Sequence, residues 1–119
     1  MMETIIEEYL KFIQIEKGLS VNTIGAYRRD LNKYKEYLTL QKISNIDFVD
    51  RQTIQECLGY LIDQGQSSKS IARFISTIRS FHQFALREKY AAKDPTVLIE
   101  TPKYEKKLPD VLEVDEVIE

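Results

Sequence analysis

Apolar residues recur with the 3.6-residue period of an α-helix in four segments of the chain, and no stretch alternates with the period of two that indicates a strand. The segments are residues 2–16, a segment that follows Ser20 and runs to about Leu40, a third that ends near Gln64, and a fourth that ends near Tyr90. The pattern therefore predicts an all-α fold of four helices.

Short polar residues and glycines mark the ends of these helices. Ser20 is the expected N-cap of the second helix, Asp47 or Asp50 of the third, and Ser67 or Ser68 of the fourth. Gly18 and Gly65 follow the first and third helices, where a left-handed backbone commonly ends a helix. Both alternatives for the third and fourth caps remain open at the level of sequence.

The apolar faces of the four helices predict the core. Its expected members are Ile5, Ile6, Tyr9, Phe12, Ile13, Ile24, Tyr27, Leu31, Tyr34, Leu38, Ile54, Cys57, Leu58, Leu61, Ile62, Ile71, Phe74, Ile75, Ile78, Phe81 and Ala85. Ile43, Ile46 and Phe48 predict that the connection between the second and third helices docks on this core. His82 falls near the edge of the buried face, where a packing role is expected.

The helical pattern degrades after Asp94 and Pro95. Residues 101–109 are polar and basic and contain two prolines, Pro102 and Pro109, which disfavour a continued helix. A new apolar periodicity starts at Val111 and is cut off by the end of the chain. We therefore expect a helical domain over residues 1–94, an interdomain linker over 95–110, and the truncated start of a second domain over 111–119.

The charge of the chain is unevenly distributed. The formal net charge is -2, but five of the 19 acidic residues lie in the last ten positions, so residues 1–109 hold 17 basic and 14 acidic residues and carry +3. The basic excess lies in residues 20–35 and 67–89, within the second and fourth helices. The acidic total therefore does not exclude a nucleic-acid partner.

Several classes of function find no support in the sequence. No apolar run approaches the roughly 18 residues of a membrane span, and no secretory signal precedes the first helix, which favours a cytoplasmic protein. One His and one Cys, Cys57, are too few for a usual metal site, and Cys57 is expected to be a small core residue. We expect no catalytic residue, no metal, no cofactor and no small-molecule substrate.

The outer face of the fourth helix has the composition of a phosphate-binding surface. Projection at 100° per residue places cations, hydroxyls and an amide in one stripe without an acid: Lys69, Arg73, Ser76, Ser80, Gln83 and Arg87. The helix N-terminus at residues 67–70 adds free N–H groups. An ordinary solvated face is the alternative, although such faces normally intersperse Glu with Lys and Arg.

The second helix repeats this pattern, with polar and basic residues pointing away from the core and Gly25 among them. A glycine inside a helix costs about 1 kcal/mol relative to alanine. Gly25 is present either because a phosphate approaches the backbone closely there or because a surface position simply tolerates it. Two antiparallel helices with cationic faces fit across a duplex. The candidate DNA-binding residues, including the linker lysines, are Asn22, Thr23, Gly25, Arg28, Arg29, Lys33, Ser68, Lys69, Arg73, Ser76, Arg79, Ser80, Gln83, Arg87, Lys103, Lys106 and Lys107.

Four stretches carry a resemblance to a known family. Residues 19–31 (LSVNTIGAYRRDL) resemble the start of tyrosine site-specific recombinases of the phage-integrase family, and of Xer recombinases in particular, while residues 70–81 (SIARFISTIRSF) resemble the family's fourth core-binding helix. Residues 87–89 followed by Asp94-Pro95, and Pro102-Lys103 followed by Leu108-Pro109, resemble its exit segment and linker. Residues 26–31 and 87–89 look more like the XerD branch of the family than the XerC branch.

The resemblance implies a SAM-like core-binding domain that, together with a C-terminal catalytic domain, clamps duplex DNA at a recombination site. The family's catalytic Arg, Lys, His and nucleophilic Tyr belong to that second domain, and none maps onto this chain. It further implies recombination without a cofactor, through a 3′-phosphotyrosyl link, in a tetramer with XerC-like partner protomers, and a role in resolving chromosome dimers at cell division. A helical protein-protein interaction module without DNA contact is the alternative.

Overall fold

The computed structural model describes residues 2–97 and residue 99, and the expectations for residues 100–119, including Lys103, Lys106 and Lys107, lie outside this part of the chain. Four α-helices make up the fold: α1 (Met2–Glu16), α2 (Val21–Leu40), α3 (Arg51–Asp63) and α4 (Ser68–Arg87). A single 3₁₀ turn, Ile46–Phe48, lies between α2 and α3. Over the described residues no strand is present, and the expected all-α class is confirmed.

Side-chain caps begin three of the helices. The hydroxyl of Ser20 accepts the Thr23 N–H at 3.2 Å at the start of α2. The carboxylate of Asp50 accepts the Thr53 N–H at 2.8 Å, which makes Asp50 the N-cap of α3. The hydroxyl of Ser67 accepts the Ser70 N–H at 3.1 Å, which makes Ser67 the N-cap of α4. The structure thus decides both alternatives that the sequence left open.

Each of the four helices is followed by a residue of positive φ, which is a glycine in two cases and a lysine in the other two. Gly18 and Gly65 have positive φ, at 61° and 91°, as expected of residues that terminate α1 and α3. Lysines take this conformation after α2 and α4, with φ of 63° at Lys42 and 66° at Lys89. The Tyr90 N–H returns to the Ala85 carbonyl at 2.8 Å, so α4 ends at Arg87 and not near Tyr90.

The core lies where α1, α2 and α3 pack around α4. Phe81 is fully buried there, and the rings of Tyr9 and Tyr34 meet it edge-on at centroid distances of 5.7 and 6.5 Å. Most of the predicted core residues are buried, while Phe12, Ile24, Tyr27 and Ile62 are only partly buried against it. Cys57 is a core residue as expected, and burial raises the pKa of its thiol to about 12.

Two predictions about burial are wrong. Phe48 does not dock on the core, since its side chain is 71% exposed; the 3₁₀ turn directs Ile46 and the following Val49 inward in its place. His82 is not at the edge of the core but fully buried within it. Among the described helices, none is both long and apolar enough to cross a bilayer.

The segment after α4 folds back onto the helices. The Ala92 N–H donates to the Asp47 carboxylate at 2.9 Å, and the Arg79 guanidinium donates to the Ile99 carbonyl at 3.0 Å. Thr96 and Ile99 are buried. The domain boundary after Asp94 stays a prediction, but Thr96 and Ile99 beyond it pack against the helical body.

Candidate nucleic-acid interface

The predicted DNA-facing helices, α2 and α4, are joined by a charged hydrogen-bond network. The Asp30 carboxylate on α2 accepts from Nε and Nη2 of Arg73 on α4, both at 2.9 Å, and from the Thr77 hydroxyl at 3.1 Å. In the turn that precedes α4, the Lys33 ammonium donates to the Gln66 side-chain carbonyl at 3.3 Å. The Asp30 network therefore links α2 to α4, and the Lys33–Gln66 hydrogen bond links α2 to the turn before α4.

The two partners of the Asp30–Arg73 ion pair differ in exposure. The Asp30 side chain is 2% exposed, whereas the Arg73 side chain is 42% exposed. The hydrogen bond to Asp30 raises the pKa of Arg73, which stays charged. A buried acid is thus paired with an arginine whose side chain stays partly exposed to solvent.

The cationic surface around this pair is formed by Arg29 and Lys33 of α2 and Lys69 and Arg73 of α4. Apart from Asp30, no carboxylate of the described residues lies within ion-pair distance of these four side chains. The exposed Asn22, Ser68, Ser76 and Gln83 and the partly exposed Thr23 supply further hydrogen-bonding groups. This composition, cations with neutral hydrogen-bonding groups, suits a phosphate backbone.

Arg28 lies on the other side of α2 and faces α1. Its Nη1 is 2.6 Å from the Glu7 carboxylate, and this hydrogen bond lowers the pKa of Glu7 and raises that of Arg28. Lys35 also faces α1 and forms an ion pair with Glu3 at 3.8 Å. The cations of α2 therefore divide into two sets, one paired with α1 and one beside α4.

The C-terminal half of the predicted α4 stripe also has partners within the fold. Ser80 accepts a hydrogen bond from the Tyr9 hydroxyl at 2.8 Å and is only partly exposed. The Arg87 guanidinium stacks over the Phe12 ring at 4.4 Å and lies 3.4 Å from Glu88. The Arg79 guanidinium donates a hydrogen bond to the Ile99 carbonyl. In this half of the stripe Ser80 is only partly exposed, while Gln83 and Arg87 are exposed.

Gly25 is not required by the packing of the chain itself. A Cβ atom at this position would lie 3.7 Å from Arg29 Nη1, an ordinary contact with a flexible side chain. Gly25 also lies within α2, where its backbone is helical. The explanations that the sequence allowed, close approach of a phosphate and simple tolerance, therefore both remain.

Sequence reasoning missed Asp30 and Thr77 as parts of this site. The prediction of an acid-free face holds for α4 alone, but projection of a single helix cannot show an acid that a neighbouring helix contributes. A signal was nevertheless present, because Asp30 lies in the buried arc of α2 with Leu31, Tyr34 and Tyr37. A buried carboxylate requires a partner, and a basic residue on the adjacent helix is the natural one.

Comparison with known proteins identifies the class of domain to which these four helices belong. The family model for the phage integrase N-terminal SAM-like domain matches residues 6–89, and the chain belongs to this family. It is similar to proteins named tyrosine recombinase XerD, with 87% identity over 117 residues in Staphylococcus epidermidis, 86% over 118 in Staphylococcus haemolyticus and 82% over 117 in Staphylococcus aureus. The expected resemblance to the XerD branch is confirmed.

These relatives are considerably longer than the chain. The alignments cover 98% to 99% of this chain but 40% of each relative. The matched part is the N-terminal domain of the family, to which the four helices correspond.

Proposed function

We propose that this chain is the DNA-binding N-terminal half of a XerD-like tyrosine recombinase that acts in site-specific recombination. The observation that carries the proposal is the cationic surface of Arg29, Lys33, Lys69 and Arg73, on two helices that the Asp30–Arg73 pair links, in a domain of the integrase family. Duplex DNA is the proposed partner, because cations with neutral hydrogen-bonding groups beside them complement the charge and the acceptor oxygens of its phosphates.

In this proposal the chain holds DNA, and a second domain of the parent protein cuts it. That domain would supply the nucleophilic tyrosine and the groups that activate it, and none of those roles is assigned to a residue of this chain. We further propose that the parent acts in the cytoplasm, in a tetramer with XerC-like protomers, and resolves chromosome dimers at cell division. The percentage identity to XerD proteins supports these finer assignments.

The full set of DNA-binding candidates from the sequence remains part of the proposal, with an order of expected importance. Residues around the Asp30 network are expected to contribute most, since no carboxylate of the described residues other than Asp30 lies within ion-pair distance of their cationic groups. Arg28 and Arg87 are expected to contribute less because each lies beside a glutamate, and Arg79 and Ser80 because they are hydrogen-bonded within the fold and only partly exposed. Lys103, Lys106 and Lys107 are proposed to follow the backbone beyond the described residues.

Fluorescence anisotropy with a labelled Xer recombination site, titrated at several salt concentrations, tests the proposal. If about five to seven phosphates are neutralised, log affinity falls against log salt with a slope of about -0.9 per contact. Arg29→Ala should weaken binding and reduce the slope. Lys11→Ala removes the same charge from α1, at a side chain that is 69% exposed, and is the matched control. A flat salt dependence, or equal effects of both variants, would refute DNA binding by this surface.

A further inference from the structure

Asp30 is a buried carboxylate next to a surface that otherwise carries positive charge. Its three hydrogen bonds come from α4, two from the Arg73 guanidinium and one from the Thr77 hydroxyl. A negative charge here repels DNA phosphates, and a buried ion pair is weak evidence for a role in stability. The position of Asp30 thus calls for another explanation, and the geometry of Arg73 supplies one.

The hydrogen bonds to Asp30 use only one edge of the Arg73 guanidinium. A guanidinium has five N–H donors in a planar fork, and the carboxylate takes one from Nε and one from Nη2. Two donors on Nη1 and one on Nη2 remain, at the outer edge of a side chain that is 42% exposed. The outer edge can therefore offer two parallel N–H groups to one phosphate while Asp30 holds the inner edge.

We propose that Asp30 is a positioning residue for DNA binding, which holds Arg73 so that its outer edge grips a single backbone phosphate through two hydrogen bonds. The Thr77 hydroxyl in turn donates to the Asp30 carboxylate and holds it in place. Without Asp30, the Arg73 side chain would lose rotational entropy on binding DNA, and this loss would weaken the affinity. This inference rests on the proposed function, since it names the role of one acid within that surface.

Electrostatics and positioning predict opposite results for Asp30→Asn. The substitution removes a negative charge from the surface, so charge alone predicts tighter DNA binding and a steeper salt dependence. Positioning predicts weaker binding, because the amide no longer holds the Arg73 guanidinium by two charge-assisted hydrogen bonds. The sign of the change therefore separates the two mechanisms.

The experiment is a double-mutant cycle in this chain, with duplex affinity measured by anisotropy over a range of salt concentrations. Asp30→Asn and Arg73→Ala should each weaken binding roughly tenfold, the loss expected for about one charge-assisted hydrogen bond. The double variant should bind no more weakly than Arg73→Ala alone, because Asp30 acts through Arg73. Arg73→Lys should not restore affinity, since an ammonium cannot form the fork.

Several outcomes would overturn the inference. One is a duplex affinity of Asp30→Asn that equals or exceeds that of the original chain. Another is a duplex affinity of the double variant that is lower than that of Arg73→Ala alone. A third is a loss in Arg73→Ala confined to the recombination site, with scrambled duplex unaffected and the salt slope unchanged, since this would identify a base contact in place of a phosphate contact.

A second variant guards against loss of folding. If Asp30→Asn is not helical by circular dichroism, Thr77→Val removes one hydrogen bond to the carboxylate while preserving side-chain shape, and it should weaken binding only when Arg73 is present.

Failure of the proposed function itself would look different: the unaltered chain would then show no salt-dependent binding. If the unaltered chain binds and Arg29→Ala weakens it, but the cycle shows no effect, only the inference fails.

Discussion

The hydroxyl oxygen of Tyr34 on α2 lies 2.6 Å from Nε2 of His82 on α4, and both side chains are buried in the core. The other ring nitrogen of His82, Nδ1, has no hydrogen-bond partner among the described residues. Burial disfavours the imidazolium and lowers the pKa of His82 to about 4, although the nearby Asp94 carboxylate opposes the shift. The pair is thus a neutral polar link between α2 and α4, in contrast to the charged Asp30–Arg73 link.

Tyr34→Phe should destabilise the fold by about 1 to 3 kcal/mol, because it leaves Nε2 of His82 buried without a partner as well. The free energy of unfolding, measured by urea denaturation, tests this expectation. Tyr60→Phe is the matched control, since it removes the same hydroxyl from a side chain that is 37% exposed, and it should change stability by less than about 0.5 kcal/mol. Equal effects of the two variants would contradict a role for the Tyr34–His82 bond.

The depressed pKa of His82 predicts a loss of stability on mild acidification. The imidazole takes up a proton near pH 6.5 in the unfolded chain but only near pH 4 in the folded protein. Its contribution is therefore fully present above pH 6.5 and is lost as the pH falls toward 4. Between pH 7 and pH 5 the free energy of unfolding should fall by roughly 2 kcal/mol, at up to about 1.4 kcal/mol per pH unit.

His82→Gln provides the control for this pH dependence, because it removes the titrating group. Its stability, although lower, should be nearly constant between pH 7 and pH 5, a window above the ordinary range of carboxylates. Urea denaturation at four pH values in the window is sufficient. A constant stability of the unaltered chain, or an unchanged slope in His82→Gln, would show that His82 does not cause the loss.

The sequence predicts those parts of the fold that local signals determine. The bounds of α1 and α2 and the cap at Ser20 follow from a periodic pattern with a polar cap residue, whereas for α3 and α4 that pattern narrows the cap to two candidates, of which the hydrogen bonds of Asp50 and Ser67 select one. The burial of Phe48 and of His82 was predicted wrongly, because the burial of a residue in a connecting turn or beside the apolar face of a helix depends on how the helices pack. Local periodicity does not contain this information.

For the candidate site, the sequence predicts the surface but not its internal partners. The outer cations of α2 and α4 were identifiable from helical projection and from the family resemblance. The pairing of Arg28 with Glu7 and of Arg73 with Asp30 joins residues 21 and 43 positions apart. Such contacts require the arrangement of three helices, which projection of each helix by itself cannot supply.

Ser67 and Ser68 should differ in their contributions to stability, although they are adjacent and chemically identical. The Ser67 hydroxyl accepts the Ser70 N–H at the start of α4, while Ser68 is an exposed first residue of that helix. Ser67→Ala should destabilise the domain by about 1 kcal/mol, and Ser68→Ala by less than about 0.5 kcal/mol. Thermal unfolding followed by circular dichroism distinguishes them. A larger loss in Ser68→Ala would contradict the cap assignment.

Gly25→Ala should stabilise the isolated chain and weaken its binding to DNA. A Cβ at this position makes only an ordinary contact, with Arg29 Nη1 at 3.7 Å, and alanine is favoured over glycine inside a helix by about 1 kcal/mol. The melting temperature should therefore rise by about 4 to 8 °C. If the backbone at Gly25 lies against a phosphate in the complex, the added methyl group would hold the phosphate away and reduce affinity.

Gly59→Ala separates these two effects. Gly59 is an exposed glycine inside α3, and a Cβ there would meet no atom within 4 Å. It should raise the melting temperature by a similar amount and leave duplex affinity unchanged, since α3 is outside the proposed surface. Anisotropy titrations of both variants at one salt concentration make the comparison. If Gly25→Ala stabilises the chain and binds DNA as well as Gly59→Ala does, glycine at position 25 is only tolerated, and no phosphate approaches α2 there.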